Sequence, residues 1–421
     1  MKTKYNLFLK KFYQFRQHKT IKNITYLTFG NIIAQFLSLI GAFCIPKLLG
    51  PGKYGIFSVV TAYVGFFSVF TFNGLNKIII REIAKDISKT KEIFESTIGI
   101  KIIFSILSSI LAISVVLFVS YELGTKIYII IFSFSLMYTG FESSLSAIFQ
   151  SHQKMKIIAN LAIIQQLIRI PLSIFVLKIG YGVLSLIFIQ LFTQILSLLI
   201  LYKYSLKIVD FRIIEKLKVN KEYLLVGARF TLLSFLNVLS GRVDILMLSF
   251  LTTPENVGIY SLAYRLVKKG LIIRGPISQS LFPYYSEKYS HQKPNLKYLL
   301  KHSLFIILIL SIIFFPAILF IKPLIFYIIG KDYIYSAVIF KVLVFYLIFN
   351  FTVIPWGLAL QTTSNEIYSL ITLCFIGPLN IILNLFLFKL YGIIGIAYST
   401  LIVEMLRLSL LIFFTTRIIN K

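Results

Sequence analysis

Five arginines stand inside stretches that otherwise read as hydrocarbon: Arg169, Arg229, Arg242, Arg265 and Arg407. Lys101, Lys268, Lys269, Arg274 and Lys341 interrupt similar stretches. A charge at mid-membrane costs roughly 2.5–3.5 kcal/mol even on the lenient insertion scale. A guanidinium cannot avoid that cost by losing its proton. Such groups must face water, a partner or a ligand. The carboxylates at comparable depth are Glu142, Asp244 and Glu404, too few to compensate. Glu404 and Arg407, at i, i+3, can neutralise each other. A net-positive, partly dehydrated site attracts an anion, and phosphate or pyrophosphate suits guanidinium forks best. Asp244, Glu142 and Glu404 are the carboxylates placed to hold a proton or a sodium ion.

Helical spacing sorts the polar residues onto faces. Asn31, Gln35, Ser38 and Ala42 form one stripe; Lys101, Ser105, Ser108 and Ala112 another. Gln165, Gln166 and Arg169 share a face, as do Gln190, Gln194 and Ser197. Arg229, Asn237, Ser240 and Asp244 fall within roughly 80° of arc at about 100° per residue. The expected anion-binding set is Arg169, Arg229, Arg265, Lys269, Arg242 and Arg407, with Asn31, Gln35, Gln165 and Gln194. Lys101 and Lys341 lie near run ends and are expected to snorkel to the interface. Arg242 sits about 220° around its helix from Arg229 and should point at a neighbour. Arg274 sits about 180° from Arg265, unless Gly270, Gly275 or Pro276 kinks the helix.

Nothing in the sequence suggests a catalytic or metal centre. His18, His152, His291 and His302 show no ligand spacing, and Cys44 and Cys374 lie in apolar runs as expected packing residues. No phosphate-cradling glycine-rich loop is present, so ATP hydrolysis is not expected.

The elements that must position these residues are membrane helices. Of 421 residues, 58% are hydrophobic and 14% charged, against about 25% charged in a soluble domain. The mean hydropathy of +0.87 excludes a soluble enzyme, a disordered chain and a secreted disulfide scaffold. Twelve apolar runs are long enough to span: 24–46, 54–75, 94–119, 126–149, 157–177, 181–202, 223–250, 256–283, 299–321, 336–360, 367–388 and 393–415. The eighth is the weakest because of its cations. The net charge of +28 sits largely in alternate connections, beginning with the N-terminal segment. That asymmetry places both termini in the cytoplasm and makes the charge a lipid-headgroup feature rather than a nucleic-acid one. Phe8, Phe12 and Phe15 among basic residues suggest an amphipathic helix on the inner surface.

A repeat organises the runs. Pro51-Gly-Lys-Tyr-Gly-Ile-Phe-Ser58 recurs as Pro254-Glu-Asn-Val-Gly-Ile-Tyr-Ser261, and Tyr181-Gly182 recurs as Tyr391-Gly392. The expected architecture is an all-α polytopic membrane protein, twelve transmembrane helices in two parallel six-helix bundles around a central cleft. The basic amphipathic segment is 1–23, the bundles 24–202 and 223–421, and the cytoplasmic linker 203–222.

Pro46-Lys-Leu-Leu-Gly-Pro-Gly-Lys-Tyr-Gly-Ile-Phe-Ser58, Gly74-Leu-Asn76 and Arg81-Glu82 resemble the opening of the O-antigen and capsular polysaccharide flippases of the Wzx type. Arg242, Asp244 and Gly258-Ile-Tyr-Ser-Leu-Ala-Tyr-Arg265 resemble the matching part of that family's second half. The family belongs to the multidrug/oligosaccharidyl-lipid/polysaccharide (MOP) exporter superfamily. The resemblance implies movement of an undecaprenyl-pyrophosphate-linked oligosaccharide to the outer leaflet of the bacterial cytoplasmic membrane, through a cationic lumen with alternating access. It implies membrane lipids, a polysaccharide polymerase and glycosyltransferases as partners, and no cofactor. The alternatives are a multidrug/cation antiporter of the same superfamily, which needs an acidic, aromatic cavity, and a polytopic O-antigen polymerase or ligase, which needs a large outer catalytic loop.

Overall fold

The computed structural model describes residues 19–208, 221–289, 294–363 and 365–419. The expected surface helix around Phe8, Phe12 and Phe15 and most of the linker lie outside the described residues. Described residues form helices α1 (Lys19–Phe67), α2 (Leu75–Lys85), α3 (Thr90–Phe118), α4 (Leu123–Ser133), α5 (Ser135–Ser151), α6 (Met155–Lys178) and α7 (Val183–Ser205). They continue as α8 (Lys221–Leu251), α9 (Pro254–Gly270), α10 (Arg274–Tyr289), α11 (Leu296–Ile328), α12 (Ile334–Thr362), α13 (Glu366–Tyr391) and α14 (Ile393–Ile419). No strand occurs among them. This is an all-α, multi-pass membrane protein.

Ten helical segments among the described residues are long and apolar enough to cross a bilayer, rather than twelve. Two local events account for the difference. The first two runs are one rod, α1, bent at Gly50 (φ 71°, ψ 168°) between Pro46 and Pro51. A side chain there would be strained, so glycine makes the joint. The eighth run is broken: α9 stops at Gly270, three residues form a tighter turn, and α10 begins at Arg274. Neither piece is long enough to count as a span by itself.

The chain gathers into two compact units, one of residues up to Ile40 with Phe67–Ser234, the other of Gly41–Phe66 with Phe235 onward. In the first, α2 buries Leu75, Ile78, Ile79 and Ile83 on one face, the i, i+3, i+4, i+8 pattern of an amphipathic helix. Ile79 and Ile83 enter a core with Phe94, Ile98, Leu145 and Phe149. In the second, α12 is the central helix, packed by α9, α10, α11 and α14. Its Trp356 is fully buried and donates Nε1–H to Ser303 Oγ at 2.9 Å.

The Pro51–Ser58 and Pro254–Ser261 motifs both lie in the second unit, where they meet. Thr253 is extended and Pro254 opens α9, a favoured first-turn residue because it lacks the N–H that would go unpaired. A Cβ on Gly55 would lie 1.8 Å from the Pro254 carbonyl oxygen, and one on Gly258 would lie 2.0 Å from the Pro51 carbonyl oxygen. The approach is reciprocal: each glycine makes room for the backbone of the other motif.

Candidate functional site

The most completely built polar site surrounds Asp244. Its side chain is buried near the C-terminal end of α8. It accepts hydrogen bonds from Thr400 Oγ1 at 3.0 Å, Asn384 Nδ2 at 3.0 Å, Asn380 Nδ2 at 3.4 Å and Tyr260 Oη at 3.3 Å. Three helices, α9, α13 and α14, thus supply four neutral donors to one carboxylate. The Oδ1 of Asn384 is buried without a hydrogen-bond partner. Asn380 and Asn384 share a face of α13 and Thr400 lies on α14; their convergence on Asp244 is a product of packing.

A second cluster joins α10, α12 and α14. Glu404 Oε1 accepts from Asn350 Nδ2 at 3.0 Å and from Arg407 Nη1 at 3.4 Å, so the expected i, i+3 pairing forms. Arg274 Nε donates to the Asn350 carbonyl at 3.4 Å. The break at Gly270 allows this, placing Arg274 on a new helix instead of opposite Arg265 on a continuous one.

Arg265 lies on α9 with its guanidinium 5.3 Å from the ring centres of both Tyr54 and Phe57. This is the distance at which aromatic faces attract a cation. No described carboxylate forms an ion pair with it. Tyr54 is fully buried and packs edge-on against Tyr333, whose Oη donates to the Pro46 carbonyl at 3.1 Å. The residues after the α1 bend therefore form an aromatic seat for a permanent charge contributed by the other repeat. Lys269, one turn on, is half-buried.

In the first unit, Arg169 is half-buried and donates to Gln166 Oε1 at 2.8 Å. Gln194 Oε1 accepts from Tyr138 Oη at 3.0 Å. Glu142 is half-buried. Gln35 is bonded by Ser38, while Asn31 and Arg229 are exposed and Gln165 is half-buried. The Arg242 side chain lies outside the described residues. Arg229 and Asp244, placed on one stripe by spacing, occupy different environments, since α8 starts in one unit and ends in the other.

Several expectations need correction. Lys101 does not snorkel: it is fully buried, with its ammonium donating to Asn76 Oδ1 and to Ser143 Oγ. The rest of its stripe is packing surface. Ser108 Oγ donates to the Phe67 carbonyl at 2.6 Å, and Ser105 lies where a Cβ on Gly140 would fall. Small residues let two helices approach closely there. Cys374, expected in packing, is exposed on α13.

Residues 20–289 match the family described as polysaccharide biosynthesis protein. Among solved structures, the lipid II flippase MurJ in an inward closed conformation superposes with a TM-score of 0.74 at 18% identity, covering 94% of this chain and 87% of that one. An inward-facing multidrug-resistance MATE transporter of the MOP superfamily gives 0.72 at 16%, covering 92% and 94%. A MOP superfamily transporter from Pyrococcus furiosus, whose binding pocket is described as having reverse polarity, gives 0.63 at 16%, covering 95% and 96%. No curated protein matches the chain in sequence. At these identities the likeness is one of fold.

Proposed function

Since the chain belongs to the polysaccharide biosynthesis protein family, we propose that it flips an undecaprenyl-pyrophosphate-linked oligosaccharide across the bacterial cytoplasmic membrane, inner to outer leaflet, both termini cytoplasmic. The observation that carries this reading is Arg265, a permanent cation in the eighth apolar run, seated on Tyr54 and Phe57 rather than on a carboxylate. A guanidinium held this way keeps its hydrogen-bond donors for an incoming anion, and a diphosphate accepts them in pairs. Arg169, Arg229, Arg242, Lys269 and Arg407 add positive charge along the path, and Asn31, Gln35, Gln165 and Gln194 supply hydroxyl-matching amides. With the membrane negative inside, export of an anion gains about 2.3 kcal/mol per charge per 100 mV.

Asp244 is the proposed coupling carboxylate, with Glu142 and Glu404 as secondary candidates. Its surroundings fit a small hard cation: two carboxylate oxygens, the Thr400 and Tyr260 oxygens, and the orphaned Asn384 oxygen once that amide turns. A proton would satisfy the same carboxylate. The charge balance argues against a cation-drug antiporter, because bases outnumber acids within the runs.

The test is complementation. In a strain lacking the chain, Arg265→Ala is expected to leave lipid-linked oligosaccharide on the inner leaflet and to remove surface polysaccharide at normal protein level. Full surface polysaccharide with Arg265→Ala and Arg169→Ala together would overturn the reading.

A further inference from the structure

A cavity of about 650 Å³ opens between α6 and α7, away from the groups discussed so far. Ligand sites commonly fall between about 300 and 1,000 Å³. Lys156, Lys203 and Lys207 line it, together with Asn160 and Tyr204 and a floor of isoleucine and leucine side chains. None of its lining residues is acidic. Among the described residues, none of the three lysines pairs with a carboxylate. Lys156 lies 5.7 Å from the Tyr26 ring centre and Lys207 5.5 Å from that of Tyr204. One wall is held close to the first helix, since a Cβ on Gly30 would fall 2.6 Å from Ala159 Cβ.

The level of this cavity in the membrane matters. Met155 begins α6 and Ser205 ends α7, so Lys156 and Lys203 sit in the turns where these two spans leave the hydrocarbon, on the same side. Arg169 is about 20 Å further along α6 at about 1.5 Å per residue. The site is therefore polar and cationic at headgroup depth and apolar at acyl depth. Basic pockets between membrane helices on the cytoplasmic side are where anionic lipid headgroups bind. We propose that this cavity binds the phosphate-bearing headgroup of a membrane lipid, its chain lying along the apolar floor. Two lipids carry that chemistry, an anionic acyl phospholipid and a polyprenyl phosphate. The second would make the cavity a loading station for the proposed substrate, and that arm alone rests on the proposed function.

Native mass spectrometry of the full-length protein in detergent separates the cases. Phosphatidylglycerol, undecaprenyl phosphate, zwitterionic phosphatidylethanolamine and inorganic phosphate are titrated separately. One or both anionic lipids should bind, with the zwitterionic lipid and free phosphate at least tenfold weaker. The triple variant Lys156→Gln, Lys203→Gln, Lys207→Gln should weaken the anionic lipid about a hundredfold; Lys178→Gln, at the opposite end of α6, should leave it unchanged. Tighter undecaprenyl phosphate than phosphatidylglycerol identifies the loading station; the reverse order identifies a structural phospholipid. Undiminished anionic-lipid binding by the triple variant, monodisperse and helical by circular dichroism, overturns the proposal. Lysine-dependent binding by a chain whose absence leaves surface polysaccharide and the inner-leaflet pool of lipid-linked oligosaccharide unchanged would uphold this site and remove the function proposed above.

Discussion

Among the described residues, each unit has one fully buried charged side chain that forms no ion pair, and the two charges are opposite. Asp244 in the second unit is wrapped by four neutral donors from α9, α13 and α14. Lys101 in the first is held by two neutral acceptors from α2 and α5. The difference lies in what else the site can admit. A carboxylate has about four acceptor positions, and hydroxyl or amide neighbours can rotate to present oxygen in place of hydrogen. A cation can join that arrangement. An ammonium offers no acceptor, so nothing positive can join Lys101, and its role is to tie α2 and α5 to α3. The repeat does not duplicate either feature. At the offset of the Pro51 and Pro254 motifs, Asp244 answers to Gly41 and Lys101 to Leu304.

Five experiments would break or sharpen this contrast. The largest effect is expected at Asp244: Asp244→Ala should reduce export to below about a tenth of wild type, read as surface polysaccharide against protein level. Lys101→Met should retain most export and instead cost about 1–3 kcal/mol of stability, because Asn76 and Ser143 lose their buried donor; the shift in thermal midpoint measures it. Comparable loss of export in the two variants, at equal protein level, would erase the distinction. Next, sodium or a lower pH should raise the thermal midpoint of the wild type but not of Asp244→Asn, whereas Lys101→Met should still respond. Asn384→Ala should weaken that response several-fold, since it removes one oxygen of the set. The smallest effect is expected at Ser143→Ala, about 1 kcal/mol, with no change in the ion response.

Much of the fold could be read from the order of residues, since apolar runs of spanning length have one solution in lipid. Gly50 and Gly270 show where that reading stops. Whether a glycine between two runs bends a rod or ends it depends on its backbone angles and on what packs nearby. The Glu404–Arg407 pair was legible because i, i+3 is a local rule. The Asp244 cluster was only half legible, since periodicity gives the face a residue occupies but not the neighbour it meets. Lys101 was misread for the same reason. Proximity to a run's end suggested an escape to water, and the acceptors that hold it inside come from 25 and 42 residues away.

The crossing of Gly55 with Gly258 carries a last consequence. A patch that complements its own copy is what a symmetric dimer requires, so a single six-helix chain carrying this motif would already own a surface for pairing with a twin. Joining two such chains end to end would spare each from finding its mate by diffusion. The bargain binds both copies afterwards, because a methyl group acquired by either glycine would strike the other copy's carbonyl, and neither can drift alone.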